Sequence, residues 1–313
     1  MKNKMAPQVS IVIVNWNVKN ESRNCLESIH KNISGIAYEI IIVDNNSSDG
    51  SIEMVKKEYP DAILITNEQN LGYGRANNQG IRVAKGEFVL ILNPDTIVLP
   101  GTVEKMLRFM EKNPDVGACG PLILEKDYKP SHPVIYDPSV WELFGNDTFL
   151  RKLFPKLCSP LYGQPDRITK VHRLSGCFFL ARLEALKKVG LFDERIFLFY
   201  EDTDLFCRLR RNGWCMYYLP EISVIHLHSK SVSHFSLFQK EVFVRQGSLI
   251  YFRNRYGFIP SLFFKGFLIS SYLLYLVTLE MLSLLSMKRI HKEKISFYRE
   301  LLKLTCKSLF GLG

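Results

Sequence analysis

Four short runs, residues 9–14, 39–43, 62–66 and 88–92, are rich in Val, Ile and Leu, and stretches of helical pattern at 21–31, 51–59 and 75–85 separate them. An apolar run without polar alternation reads as a strand covered on both faces. Strands that alternate with helices in this way predict a parallel sheet wound by right-handed crossovers. In such sheets ligands collect at the carboxyl ends of the strands. Asn15, Asp44 and Asp95 all stand at or just past such an end. Ser48 or Asp49 is placed to cap the second helix.

At 313 residues, 47% hydrophobic and 23% charged, the chain has room for one large globular α/β domain and an appendage. Its formal charge of +10 is unevenly spread. From Arg245 onward there are eleven Lys or Arg against three Glu, a net of +8, which leaves +2 for the first 244 residues. Apolar runs interleave with the basic residues of that tail, and this pairing favours an anionic membrane surface over nucleic acid. Seven cysteines without a CxxC pair point to buried thiols in a reduced, cytosolic setting. The run at 9–14 is too short for the apolar core of a signal peptide.

Residues 121–171 are rich in Pro, Asp and aromatics and lack periodicity, so they read as a long excursion able to cover an acceptor. An apolar run follows at 174–180, then a helix over 201–212 and strand-like runs at 214–219 and 222–226. Residues 266–279 carry no charge, which is short of the ~20 apolar residues a single span needs. An interfacial or re-entrant hairpin competes with a transmembrane helix there. Ile295, Tyr298, Leu302, Thr305 and Leu309 recur at helical spacing with lysines between them, as in a basic amphipathic helix. Such a helix lies on a membrane or packs on the body or on a second subunit of a homo-oligomer. The expected division is 1–244 for the catalytic body and 245–313 for the tail. No repeat or low-complexity segment interrupts either part.

Three distant segments carry the chemistry: Asn93-Pro94-Asp95, Glu201-Asp202-Thr203-Asp204, and His226. Carboxylate oxygens beside an open coordination sphere suit Mg2+ or Mn2+ holding a diphosphate. An Asp nearby can take a proton from an attacking hydroxyl. Asp95 is the first candidate for the metal. Glu201 and Asp202 open a helix, where the dipole favours carboxylates as simple caps. Four acidic or hydroxyl residues in a row after the aromatic stretch 197–200 argue for more than capping, because partial desolvation lifts a carboxyl pKa. The segment from Asn70 through Gly72 and Gly74 to Arg75 is either a phosphate loop or a turn, and Arg75 is either a diphosphate partner or a surface residue. Asp44 either accepts from a base N–H or caps its crowded turn. Trp16 stacks on a base or belongs to the core.

These segments resemble, in order and content, glycosyltransferase family 2. The matching stretches are VSIVIVNWN at 9–17, IIIVDNNSSDGS at 40–51, NEQNLGYGRANNQGI at 67–81, LILNPDT at 90–96, SGCFFL at 175–180, FDERIFLFYEDTDLFCRLRRNGW at 192–214 and ISVIHLHSKS at 222–231. The rhamnosyltransferase-like branch has NPDT where other members have an Asp-x-Asp triplet, and here Asn93 holds the first position. The resemblance implies a GT-A fold: a Rossmann-like, mostly parallel sheet flanked by helices, here with a helical, membrane-associating C-terminal appendage. It implies inversion at the anomeric carbon, a nucleotide-sugar donor and a divalent cation on Asp95 and His226, with His228 as the alternative ligand. By the same resemblance Val14, Asn15, Trp16, Asn17 and Asp44 hold the base, Asp202 is the general base with Glu201 beside it, and Asp204 and Trp214 face the acceptor. The implied donor is dTDP-L-rhamnose, the acceptor a lipid-linked saccharide of a cell-surface polysaccharide, and the location the cytoplasmic face of the inner or plasma membrane. A nucleotidyltransferase would show a Lys-bearing glycine-rich loop near its N-terminus, which this sequence lacks. A non-catalytic nucleotide-sugar-binding protein would leave Asp202 as a mere cap.

Overall fold

A computed structural model describes residues 6–131, 136–138, 142–143, 156, 165–227, 230–286 and 289–309. The chain forms two compact units, one from residues up to Asp137 and from Tyr162 to Phe235, the other from Pro138–Leu161 and Ser236 onward. The sequence division at 244 falls inside a helix of the second unit, nine residues past this boundary.

In the first unit β1 (Val9–Asn15), β2 (Tyr38–Asp44), β3 (Ile63–Thr66) and β4 (Phe88–Leu92) pair in parallel, in the order β3-β2-β1-β4. Helices α1 (Lys19–Asn32), α2 (Ser51–Glu58) and α3 (Tyr73–Val83) connect them. Alternate side chains explain the unbroken apolar runs. Val9, Ile11 and Ile13 enter one core cluster, while Val12 enters a second with Ile41, Ile81, Val89 and Ile91. α3 comes close enough to the sheet that a Cβ on Gly80 would lie 2.5 Å from Val12 Cγ1. Gly50, in the left-handed region, stands at the N-cap of α2, and Asp49 accepts from the Ser51 N–H at 3.0 Å instead of capping through Ser48.

Beyond β4 the sheet becomes mixed. β5 (Thr96–Val98), α4 (Thr102–Lys112), β6 (Val116–Leu124), β7 (Thr169–Val171), β8 (Phe178–Arg182), α5 (Leu183–Lys188), α6 (Glu201–Arg211) and β9 (Cys215–His226) complete it. The order continues β4-β8-β6-β9-β5, with β8 antiparallel to both neighbours and β7 paired to β9. The two runs expected at 214–219 and 222–226 are one strand, β9, whose pairing with β6 shifts register between Pro121 and Leu122. Pro121 has no N–H to donate, so a break in the ladder is tolerated there. A short helix, α7 (Lys230–Ser233), follows.

The second unit is helical. Ser236 and Gln239 form a reciprocal capping box that starts α8 (Leu237–Tyr256). Gly257, at φ 92°, separates it from α9 (Phe258–Ser286). One side of α9, with Phe264, Leu268, Tyr272 and Leu276, is buried, and Phe252 of α8 stacks on Phe264 at 4.4 Å. α10 (Arg289–Leu309) runs back along it, with Tyr298 tilted against Tyr275 at 4.6 Å and Arg299 paired to Glu280 at 2.7 Å.

Candidate active site

The turn closing β4 builds the first wall. The Thr96 hydroxyl donates to the Asn93 carbonyl at 2.8 Å, and the chain passes directly from Asp95 into β5. β5 pairs antiparallel with the end of β9, Thr96 opposite His226, and the Leu227 N–H donates to the Asp95 carbonyl at 2.9 Å. Two residues 131 positions apart thereby meet, with His226 Nε2 lying 3.1 Å from Asp95 Oδ1. Both are buried. Burial by itself pushes the imidazole down, but its hydrogen bonds to Asp95 and Cys177 and the Asp95 charge outweigh that, and the ring is pushed up to about 10.

These donors fit a divalent cation. A carboxylate oxygen and an imidazole nitrogen converge, and the Asn93 side-chain oxygen, two residues away, is buried without a hydrogen-bond partner among the described residues. Among the described residues no group of three or more His, Cys, Asp or Glu side chains is arranged to hold a metal. Oxygens from a bound diphosphate and water would have to complete six positions.

The N-terminus of α6 builds a second wall. Phe199 and Tyr200 lie at φ 66° and 69°, a region that costs a non-glycine residue roughly 1–2 kcal/mol. Such outliers concentrate where geometry serves chemistry, and here they deliver Glu201 and Asp202 to the cavity. Asp202 Oδ2 accepts the Gly176 N–H at 3.1 Å, and its Oδ1 accepts the Thr203 N–H at 2.6 Å. A Cβ on residue 176 would fall 2.7 Å from that Oδ2, so only glycine leaves the carboxylate in place. Glu201 is 7% exposed, and its Oε2 has no partner among the described residues. Burial, then the Asp202 charge beside it, push the Glu201 carboxyl up to about 8. At neutral pH this carboxyl keeps its proton.

Between these walls lies a cavity of about 310 Å³. Of the residues singled out in the sequence, Val14, Trp16, Asn70, Gly72, Asn93, Asp95, Glu201, Asp202 and His226 line it. Asn15, Asn17 and Asp44 form a hydrogen-bonded layer at the ends of β1 and β2. Asn15 Nδ2 donates to Asp44 Oδ2 at 2.7 Å, Asp44 Oδ1 accepts the Ser47 N–H at 2.7 Å, and Asn17 Oδ1 accepts the Ser48 N–H at 2.7 Å. Each Asp44 oxygen retains a lone pair for a further donor. Three other candidates do not line the cavity. Arg75 is half exposed, 3.7 Å from Glu194; Asp204 is paired to Arg208 at 2.7 Å; and Trp214 packs beside Gly117, under Lys188. His228 lies outside the described residues.

Gly176, Cys177 and Phe235 also line the cavity although the sequence assigns them no role, and Tyr73 and Phe197 line it from the Asn70–Arg75 loop and the aromatic stretch 197–200. The Ser175-Gly176 pair before an apolar run was a visible signal. Phe235 offered none, yet it stacks on Trp16 at 4.9 Å, with the His234 ring edge-on at 5.4 Å.

Comparison with known proteins agrees with this geometry. The family described as Glycosyl transferase family 2 matches residues 10–190. An N-acetylglucosaminyl-diphospho-decaprenol L-rhamnosyltransferase of Mycobacterium tuberculosis is 31% identical over 225 residues, 66% of this chain and 73% of that one. Among solved structures, GalNAc-T7 with UDP, GalNAc and Mn2+ matches with a TM-score of 0.57 and 16% identity over 73% of this chain. The match spans 45% of that protein. The mannosyltransferase PcManGT of Pyrobaculum calidifontis, in complex with GDP-Man and Mn2+, matches with a TM-score of 0.55 and 15% identity over 98% of this chain and 88% of that one. Both structural matches carry the fold: the first unit is a GT-A domain.

Proposed function

Since the chain belongs to glycosyltransferase family 2, we propose that this glycosyltransferase moves L-rhamnose from dTDP-L-rhamnose onto a lipid-linked saccharide, with inversion, in cell-surface polysaccharide assembly at the cytoplasmic face of a membrane. The observation that carries the reading is the single cavity lined by both the Asp95–His226 pair and the Glu201–Asp202 pair. The M. tuberculosis relative, by its name, acts on a polyprenol-linked sugar with rhamnose, and this supports both substrate classes.

In this reading Asp202, held by the Gly176 and Thr203 N–H groups, takes the proton of an acceptor hydroxyl. That oxygen bonds to the anomeric carbon as the carbon–oxygen bond to the diphosphate breaks on the opposite face. The products are the glycoside and dTDP, and the proton rests on Asp202. Glu201, protonated beside it, offers a hydrogen-bond donor to a sugar or acceptor oxygen and leaves the negative charge of the pair on Asp202. In the same reading Asp44, with Asn15 and Asn17 beside it, reads the imide N–H of the base, and Trp16 flanks it. Asp95 and His226 would hold Mg2+ or Mn2+, which supplies positive charge against the departing diphosphate.

The test is transfer and donor hydrolysis by the purified chain with dTDP-rhamnose, UDP-galactose and UDP-N-acetylglucosamine, each with Mn2+, Mg2+ or EDTA. Turnover of dTDP-rhamnose alone, lost with EDTA, is expected. Turnover of a UDP-sugar instead would keep the mechanism and overturn the donor. Asp202→Asn is expected to lower turnover by about 10²–10⁴-fold with donor binding retained; unchanged turnover would reduce Asp202 to a helix cap.

A further inference from the structure

We propose that the outward face of α9 docks on an anionic lipid bilayer, lying in the plane of the interface without crossing it. Nine of the fourteen large apolar side chains exposed among the described residues belong to this one helix, Ile259, Phe263, Leu274, Val277 and Met281 among them. These five follow at steps of 4, 11, 3 and 4 residues, each close to a whole number of 3.6-residue turns, which places them on one stripe. The exposed face carries no charged residue from Phe258 to Thr278, because the one charge in that stretch, Lys265, is 8% exposed and on the packed side. An apolar stripe running the length of a helix exceeds what a soluble surface ordinarily shows and marks an interaction site.

By length and composition α9 could cross a bilayer, since Phe258–Leu282 is 25 residues long and of high mean hydropathy. Its packing argues otherwise. α10 starts three residues after α9 ends and runs back along the same stretch, with Tyr298 tilted against Tyr272 and Tyr275 and Arg299 paired to Glu280. Lys303, about one turn further along α10, then lies level with the middle of α9. Lys294, Arg299, Glu300 and Lys303 all face outward. A spanning α9 would carry these side chains into hydrocarbon, where each costs roughly 3 kcal/mol or more. A helix lying flat avoids that cost, with its stripe in the acyl boundary and α10 in water.

The charge of the segment chooses the partner. A net of +8 from Arg245 onward attracts anionic headgroups, whereas two copies facing each other through this region would bring like charge together. The docking serves the lipid-linked acceptor of the proposed function, but it is tested without one.

The experiment is flotation of the full chain with vesicles of phosphatidylcholine, with and without phosphatidylglycerol, in the absence of donor and acceptor. Binding is expected only with the anionic lipid. Phe263→Glu and Leu274→Glu, both at exposed positions, are each expected to weaken it about tenfold or more while donor hydrolysis in solution matches the parent chain. Depth is read from Ile259→Trp and Leu273→Trp, the parent signal subtracted, by quenching with lipids brominated at shallow or deep acyl positions. Equal shallow quenching is the expected result; deep quenching at 273 alone would mean a spanning helix and overturn the proposal. So would flotation unaffected by the Glu substitutions, or a parent dimer that Leu274→Glu dissolves. Failure of transfer to a lipid acceptor alongside normal flotation would count against the proposed function and leave the docking standing.

Discussion

Glu201 and Asp202 are consecutive carboxyls whose surroundings separate them. Glu201 is buried with one oxygen unpartnered among the described residues, and Asp202 is held by two backbone N–H groups. The raised Glu201 pKa has a consequence for stability. Below about 4.5, its ordinary value, the group is protonated whether the chain is folded or not, and its contribution is fully present. As pH climbs toward 8 the unfolded chain releases the proton first, so stability is lost across that window. Glu201→Gln has no proton to release. Its melting temperature, relative to the parent, should therefore rise between pH 4.5 and 8, by roughly 2 °C or more. A difference that stays flat with pH would show that Glu201 is not buried as described. Gly176→Ala tests the neighbour. Its Cβ would stand 2.7 Å from Asp202 Oδ2 and turn the carboxylate away, so kcat should fall about 10²-fold with the donor KM little changed. A normal kcat would mean that Asp202 does not act from this position.

Among the elements, the four parallel strands were legible because each is covered on both faces and must be apolar throughout. β9 was legible only as two pieces, since its exposed and half-buried residues around Pro220 and Glu221 read as a gap. The contact of α3 with the sheet had no sequence signal beyond a glycine in a helix. Gly80→Ala makes it testable. Alanine gains about 1 kcal/mol of helix propensity, but its methyl meets the β-branched Val12 at 2.5 Å, and overpacking costs about 1–3 kcal/mol. A melting temperature lower by a few degrees with normal kcat is expected; a higher one would show that α3 has room to move off the sheet.

Across the whole molecule, charge and exposed apolar surface are unevenly divided along the chain. The first 244 residues carry +2 and the cavity, and the segment from Arg245 carries +8 and the exposed stripe. Vesicle binding should fall several-fold between 0.1 and 0.5 M NaCl, because the screening length shrinks well below the ~10 Å it has at 0.1 M. It should not vanish, since apolar burial does not depend on screening. Binding indifferent to salt would mean the basic residues take no part.

Read alone, the chain determined its four parallel strands, its family and the segments from which the cavity is built, because period and local composition are properties of neighbours in sequence; β5, β6 and β7 emerged only in the folded sheet. The meeting of Asp95 with His226 was decided by the β5–β9 pairing. The closing of Phe235 on Trp16 and the turning of Arg75, Asp204 and Trp214 to other partners were likewise tertiary outcomes. So was the choice of which side of α9 is buried, made by where α8 and α10 pack. Each depends on contacts between residues far apart in the chain, and only the folded chain brings these side chains within reach of one another.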